Sequence, residues 1–262
     1  MLPNRSFHTT HTGRTSRSSL HSGILALVLI SAFGAMTAST GVAADKKPLA
    51  ATPPMGWNDW AHYQCNFTAA TILDNARALV STGLAARGFD TVTIDDCWML
   101  KDRDANGNLQ VDPQRFPDGM KPVADAIHKL GLKFGIYEDA GSETCGRYAG
   151  SGQPQGGGKD HFLEDARLFA SWDVDYLKLD GCNVYVPPGE TKEEAYRKAY
   201  AAEHDALKKV GRPIVFSESA PAYFQGTPEW YDVLTWVRDY GQLWREGSDI
   251  SNYRLRPPTL PP

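Results

Sequence analysis

The sequence predicts an α/β protein of the (β/α)8 TIM-type barrel class, incomplete, with about six βα units present. Three observations carry that expectation. Short apolar segments alternate with amphipathic ones six times from Thr52 onward, the pattern of a parallel sheet with crossover helices. Each apolar segment ends in polar or charged residues on its carboxyl side, as at the functional rim of a barrel. No glycine-rich dinucleotide turn follows the first segment, which counts against a doubly wound open sheet. A full barrel needs eight strands, and the closing Leu255-Arg-Pro-Pro-Thr-Leu-Pro-Pro262 is too proline-rich for a central strand. Residues 251–262 therefore read as the end of a truncated chain, and 45–250 as a partial barrel domain.

Residues 1–44 stand apart. Arg5, Arg14 and Arg17 make a basic start, Gly23–Phe33 is an apolar core too short to span a bilayer, and Val42-Ala43-Ala44 offers small residues before Asp45-Lys46-Lys47. This is the layout of a secretory signal peptide. Cleavage is expected after Ala44, giving a secreted or periplasmic product with no membrane attachment. The net charge of −4 and the absence of a basic block exclude nucleic acid and anionic membrane as partners; nothing in the pattern sets an oligomeric state. Hydrophobic residues make up 42% of the chain, enough for a substantial core. Cys65, Cys97, Cys145 and Cys182 all lie in the exported part. An even number in an oxidising compartment predicts two disulfides with three possible pairings, and no CxxC spacing suggests zinc or redox chemistry.

Taken in order, Pro54-Met-Gly-Trp57-Asn-Asp-Trp60 ends the first strand, and Ile72, Leu73, Ala76, Leu79 and Val80 share one helical face closed by Gly83. Phe89–Ile94 is a second strand ending in Asp95-Asp96-Cys97-Trp98, followed by a polar excursion from Asp102 to Asp118. Met120, Val123, Ala124, Ile127 and Leu130 form a second helical stripe; Leu132–Tyr137 is a third strand, with Glu138, Asp139 and Gly141 at its end. Gly150–Gly158 is a loop unlike a phosphate cradle, and Asp160 is placed to cap a helix burying Leu163, Ala166, Phe169 and Ala170. The segment Asp173-Val-Asp-Tyr-Leu-Lys-Leu-Asp180-Gly-Cys182 has the apolar density of a strand buried on both faces. Glu190–Val210 reads as a helix with Ala195, Ala199, Ala202 and Ala206 inward. Pro213–Phe216 starts a fifth strand running into Ser217-Glu218-Ser219, a helix covers Glu229–Val237, and Tyr240–Arg245 is a sixth strand leading to Asp249.

The strand ends gather carboxylates and aromatics: Trp57 and Asp59; Asp95, Asp96 and Trp98; Tyr137 and Asp139; Lys178 and Asp180; Ser219; Arg245 and Asp249. Alternation puts Lys178 and Asp180 on one side of their strand, where a cation fixes a carboxylate's charge and direction. No Ser-His-Asp set emerges from His62, His128, His161 and His204. Two chemistries use so many carboxylates: metal-assisted catalysis on Asp95, Asp96, Asp139 and Asp180, and glycoside hydrolysis by one ionised and one protonated carboxyl. Lys178 already offsets charge at Asp180, and aspartate pairs beside tryptophan suit sugar hydroxyls, so the residues favour the second.

Pro54-Met-Gly-Trp-Asn-Asp-Trp60, Ile94-Asp-Asp-Cys-Trp98, Asp112-Pro-Gln-Arg-Phe-Pro117, Phe134-Gly-Ile-Tyr137 and Tyr176-Leu-Lys-Leu-Asp-Gly-Cys182 resemble, in order, the retaining α-galactosidases of glycoside hydrolase family 27, the melibiases. The resemblance runs from about Leu49 to Ile250. It implies Asp180 as nucleophile and Asp249 as general acid/base. It further implies Asp95 and Asp96 as binders of the galactose 4- and 6-hydroxyls, Trp57 as a sugar-facing wall, and Tyr137, Cys145, Lys178, Cys182 and Arg245 as pocket residues. It pairs Cys65 with Cys97 and Cys145 with Cys182, and implies an α-galactoside as substrate with no cofactor and no metal. The chain departs from the pattern at Ser219 and Ala222, small residues where α-galactosidases carry larger ones. Small residues there are what related α-N-acetylgalactosaminidases use to admit an acetamido group. It also departs in lacking strands seven and eight and the family's C-terminal β-domain, so an inactive sugar-binding fragment is the non-enzyme alternative.

Overall fold

The structure, a computed structural model, describes residues 48–249. The expected leader with its cleavage site and the proline-rich tail fall outside the described residues. Six strands, β1 (Met55–Asn58), β2 (Phe89–Ile94), β3 (Lys133–Asp139), β4 (Tyr176–Asp180), β5 (Val215–Glu218) and β6 (Leu243–Trp244), form one sheet in simple chain order. Every neighbouring pair is parallel. A doubly wound sheet would reverse its order at a switch point. An unbroken order instead follows from crossovers that all place their helices on one side of a curling sheet. Among the described residues β1 and β6 are the two edges, so the barrel is incomplete.

The helices are α1 (Trp60–Tyr63), α2 (Ala69–Ser81), α3 (Met120–Lys129), α4 (Phe162–Ser171), α5 (Lys192–Val210) and α6 (Trp230–Tyr240). Strand alternation sorts the side chains. Val92, Ile94, Phe134, Ile136, Leu177, Leu179 and Phe216 are fully or almost fully buried and pack with Ile72, Ala76, Val123, Ile127, Ala166, Phe169 and Val237 in one cluster. At about 25 cal/mol per Å² of apolar surface removed from water, this layer is what holds the sheet to its helices. The residues between them, among them Thr93, Tyr137 and Lys178, face the concave side, which leaves that side free to carry polar chemistry.

Several boundaries differ from the sequence expectation. Val80 is 41% exposed, because Ile72, Ala76 and Leu79 already fill the inward stripe of α2. The cap residue of α4 is His161 rather than Asp160; His161 N–H donates to the Ser151 carbonyl, so the preceding loop delivers the chain one residue later. The fifth helix starts at Lys192, not Glu190, because Thr191 and Glu194 close a capping box. Its buried stripe is Ala195, Tyr196, Tyr200, Glu203, Ala206 and Leu207, with Ala199 and Ala202 only half-buried. Strand β5 begins at Val215, whose N–H donates to the Asp175 carbonyl, a bond that Pro213 lacks the hydrogen to make. Tyr240 closes α6 instead of opening β6. Trp98, read as a rim aromatic, is fully buried against Phe169 and Trp172, and its indole N–H donates to the Tyr137 carbonyl.

One buried ionic contact ties the rim loops to the helical layer. Arg103, in the β2–α3 connection, donates to both oxygens of Asp165 on α4 at 2.6 and 2.8 Å. It also donates to the carbonyls of Gly107 and Gly150. Ser151 links the same Asp165 to β3, its hydroxyl donating to the carboxylate and its N–H to the Asp139 carbonyl.

Candidate active site

The carboxyl ends of β1 to β6 bring most of the expected residues to one place. Asp95, immediately after β2, is 2% exposed. One of its oxygens accepts from Asn58 Nδ2 at 2.6 Å and Lys178 Nζ at 2.8 Å, the other from the Asp96 N–H. Asp96, 1% exposed, accepts from the Cys97 and Gly146 N–H groups, each at 2.7 Å; burial pushes its carboxyl above the ordinary value despite those donors. The turn that aims both aspartates is sharp, with Cys97 at φ 77°, and the Cys65–Cys97 disulfide anchors it to the segment after α1. Neither aspartate uses all of its lone pairs, so both retain acceptor capacity toward a ligand.

Lys178 answers first to Asp95 and only at 3.9 Å to Asp180, so the intrastrand pairing expected from alternation is the weaker of its two contacts. Asp95 follows β2 and Lys178 sits on β4, so the contact spans β3 on the concave face, which the long lysine stem is able to cross. Lys178 Nζ also lies 4.9 Å from the Tyr137 ring centroid, a cation–π distance. Asp180 is 5% exposed and takes its direction from three other groups: the Tyr223 hydroxyl at 2.5 Å, the Gly181 N–H and Arg245 Nη2 at 3.5 Å.

Arg245 follows β6, and its other terminal nitrogen pairs with Asp249. One guanidinium therefore bridges Asp180 to Asp249. Tyr137 is buried, with its hydroxyl facing Asp139 and Cys145. The Cys145–Cys182 disulfide packs beside Asp180, with Cys145 Sγ 3.7 Å from its carboxylate, and Cys182 Sγ 3.0 Å from the Tyr223 hydroxyl. Ser219 is 2% exposed at the end of β5, its N–H donating to the Leu179 carbonyl. Ala222 lies half-buried in the 3-10 turn Ala220–Phe224. Trp57 packs edge-on against Tyr63 at 6.1 Å and borders a small hollow with Asn58, Thr93, Tyr176 and Lys178.

Asn58 and Tyr223 escaped the sequence reading as site residues, while Asp59 and Asp139 entered it as strand-end carboxylates, Asp139 also as a metal-ligand candidate. Asn58 orients Asp95. Asp59 is fully buried, accepts the Asp95 N–H at 2.7 Å, and is pushed up to about 7 chiefly by burial. Tyr223 holds Asp180, and burial beside that carboxylate raises its phenol well above the ordinary value. Asp139 accepts from the Gly141 and Cys182 N–H groups rather than holding a metal. Each is a short-range neighbour only after the strands assemble; the Asn58-Asp59 pair next to a strand-end tryptophan was the one local signal available.

Among the described residues, one group of metal-ligand type converges, Asp139 with Cys145 and Cys182. Its two sulfurs are bonded to each other and so offer no thiolate. The four aspartates weighed as a metal set, Asp95, Asp96, Asp139 and Asp180, do not converge in this way.

A family model described as Alpha galactosidase A matches residues 52–254. Alpha-galactosidase A of Aspergillus niger is 44% identical over 212 residues, 80% of this chain and 38% of that protein. Alpha-galactosidase A of Cellvibrio japonicus is 40% identical over 230 residues, 87% of this chain and 50% of that one. Among solved structures, the alfa-galactosidase of Saccharomyces cerevisiae with raffinose aligns at a TM-score of 0.66 and 34% identity, over 80% of this chain and 43% of its own. The chain thus spans half or less of the length of these relatives. With a family match over most of its length and relatives 40% and 44% identical across 87% and 80% of it, this chain belongs to the alpha galactosidase A, or melibiase, family.

Proposed function

We propose that these βα units are the catalytic portion of an exported retaining exo-glycosidase that removes terminal α-D-galactosyl residues from oligosaccharides or glycoconjugates. The observation that carries the reading is Arg245, which bridges two carboxylates from different strand ends, Asp180 and Asp249. A retaining glycosidase needs one carboxylate to attack and a second carboxyl to deliver and then withdraw a proton. Asp180, buried and aimed by Tyr223, suits the first role; Asp249, 52% exposed in its side chain, suits exchange of protons with leaving group and water.

In the first step an Asp180 oxygen bonds to the anomeric carbon as the glycosidic C–O bond breaks, and Asp249 gives its proton to the departing oxygen. In the second, Asp249 takes a proton from water as that water displaces Asp180. Asp95 and Asp96 are placed to accept from sugar hydroxyls, Lys178 to hold Asp95, and Tyr137, Trp57 and the Cys145–Cys182 bridge to wall the pocket. A structural neighbour solved with raffinose supports an α-galactoside as the substrate class. Two disulfides in the described residues support an oxidising, extracytoplasmic location.

The small side chains of Ser219 and Ala222 favour a second reading, an enzyme that accepts a 2-acetamido sugar. The experiment compares hydrolysis of nitrophenyl α-galactoside and nitrophenyl α-N-acetylgalactosaminide by the full chain, alongside Asp180→Ala. Loss of several orders of magnitude in Asp180→Ala is expected. Near-normal turnover in that variant would remove Asp180 from its role, and faster hydrolysis of the acetamido sugar would select the second reading.

A further inference from the structure

We propose that Asp139 is a positioning residue for Asp180: it stays a neutral carboxylic acid beside the ionised nucleophile, leaving Asp180 as the one anion of that strand pair. This rests on the assignment of Asp180 made above. Asp139 and Asp180 are register partners on β3 and β4, so both carboxyls project from adjacent strands at the same height. The two chain segments also clasp each other. The Ala140 N–H donates to the Asp180 carbonyl at 2.9 Å, and the Cys182 N–H donates to Asp139 Oδ2 at 3.0 Å. Asp139 Oδ1 accepts the Gly141 N–H at 2.7 Å. The Asp139 side chain thereby ties the end of its own strand to the backbone just after Asp180.

Asp139 is fully buried and, among the described residues, no cation pairs with it. Lys178 is committed to Asp95 and Asp180, and Arg245 to Asp180 and Asp249. Everything else that faces Asp139 is neutral or negative. Asp96 approaches from the end of β2 and Asp180 from β4; Tyr137 and Glu138 flank it on β3; Tyr196 and Tyr200 come from α5 and Tyr223 from the turn after β5. The Cys145–Cys182 disulfide closes the remaining side and cannot ionise. Two like charges held this close, with the available cations all on one of them, oppose each other's ionisation. Burial first, and the Asp180 charge second, push the Asp139 carboxyl up to about 7. A proton on Asp139 then lets Lys178 and Arg245 act on Asp180 undiluted.

The test is a carboxyl titration by carbon-13 NMR on the full chain, labelled at aspartate, in the parent, Asp139→Asn and Asp180→Asn. The parent should show an aspartate with a midpoint at about 7 that is missing from Asp139→Asn. In Asp180→Asn, where the neighbouring charge is gone, that midpoint should fall by roughly one unit or more. Asp59, also lifted to about 7, is the internal control and should not move. If Asp139→Asn fails to fold, Asp180→Asn alone decides. The proposal is overturned if Asp59 is the only aspartate titrating near neutrality, or if the Asp139 midpoint ignores the loss of Asp180. A parallel pH profile of α-galactoside hydrolysis should bend near neutrality in the parent, and the bend should shrink in Asp139→Asn to what Asp59 contributes. A bend unchanged in Asp139→Asn would also overturn the proposal. A parent that turns over no α-galactoside, with the titrations as expected, would instead indict the substrate reading and leave the proton in place.

Discussion

Replacing Arg103 by methionine removes the only cation paired with Asp165 among the described residues while keeping a flexible apolar stem. Asp165 is 1% exposed and would keep the Ser151 hydroxyl as its remaining side-chain donor. Glu138, fully buried behind β3, would lose the nearby positive charge that partly offsets its burial. Breaking a buried ion pair from one side costs about 3–5 kcal/mol, because the abandoned charge stays desolvated. The carbonyls of Gly107 and Gly150, each losing a guanidinium donor, add to that figure rather than reduce it. Urea unfolding of the full chain at pH 7 should therefore show a deficit of several kcal/mol against a total of about 5–15.

The deficit carries a pH signature. Burial already lifts Asp165 and Glu138 above their ordinary values, and losing Arg103 lifts them further. Their unfolded counterparts titrate at about 4, so above that the folded variant binds more protons than its unfolded chain. Its stability rises as pH falls, and the deficit should shrink between pH 7 and pH 5. Adding Asp165→Leu to Arg103→Met removes the orphaned charge and should recover much of the loss. A deficit under about 1 kcal/mol, or one equal at both pH values, would refute the reasoning.

Two further outcomes are expected. Glu218 is buried at the end of β5 with neither carboxyl oxygen paired, pressed against Gly241 so closely that a Cβ there would sit 2.3 Å from its Oε1. Burial pushes it up to about 9 from about 4.3, so its contribution to stability is complete at low pH and lost as pH climbs through about 9. The unfolding free energy should therefore drop more steeply from pH 5 to 9 in the parent than in Glu218→Gln, and parallel slopes would contradict this. Tyr223→Phe deletes the hydroxyl that donates to Asp180; a hydrogen bond to a charged group contributes about 1.5–3 kcal/mol, so kcat/KM for an α-galactoside should fall roughly tenfold to a hundredfold, and an unchanged value would show that Asp180 is aimed by other groups.

Local pattern alone determined the strand and helix alternation, the parallel class and the polar character of each strand end. These follow from periodicity and from the rule that a strand covered on one face by helices can carry chemistry on the other. The motifs around Asp95-Asp96 and Lys178-Leu-Asp180 were legible for the same reason, since each sits within a few residues of a strand terminus. Boundaries slipped where a distant partner decided them: the Asp175 carbonyl receiving the Val215 N–H, the Ser151 carbonyl delaying α4 to His161. Pairings were decided only by the assembled sheet. Lys178 has Asp180 two residues away yet meets Asp95, 83 positions distant, at 2.8 Å; Tyr223, unremarkable in sequence, reaches Asp180 across 43 positions. Asp139 reads in sequence as one more rim carboxylate. Its burial, its register with Asp180 and the commitment of every nearby cation elsewhere exist only once the strands lie side by side, because charge acts through space and not along the chain.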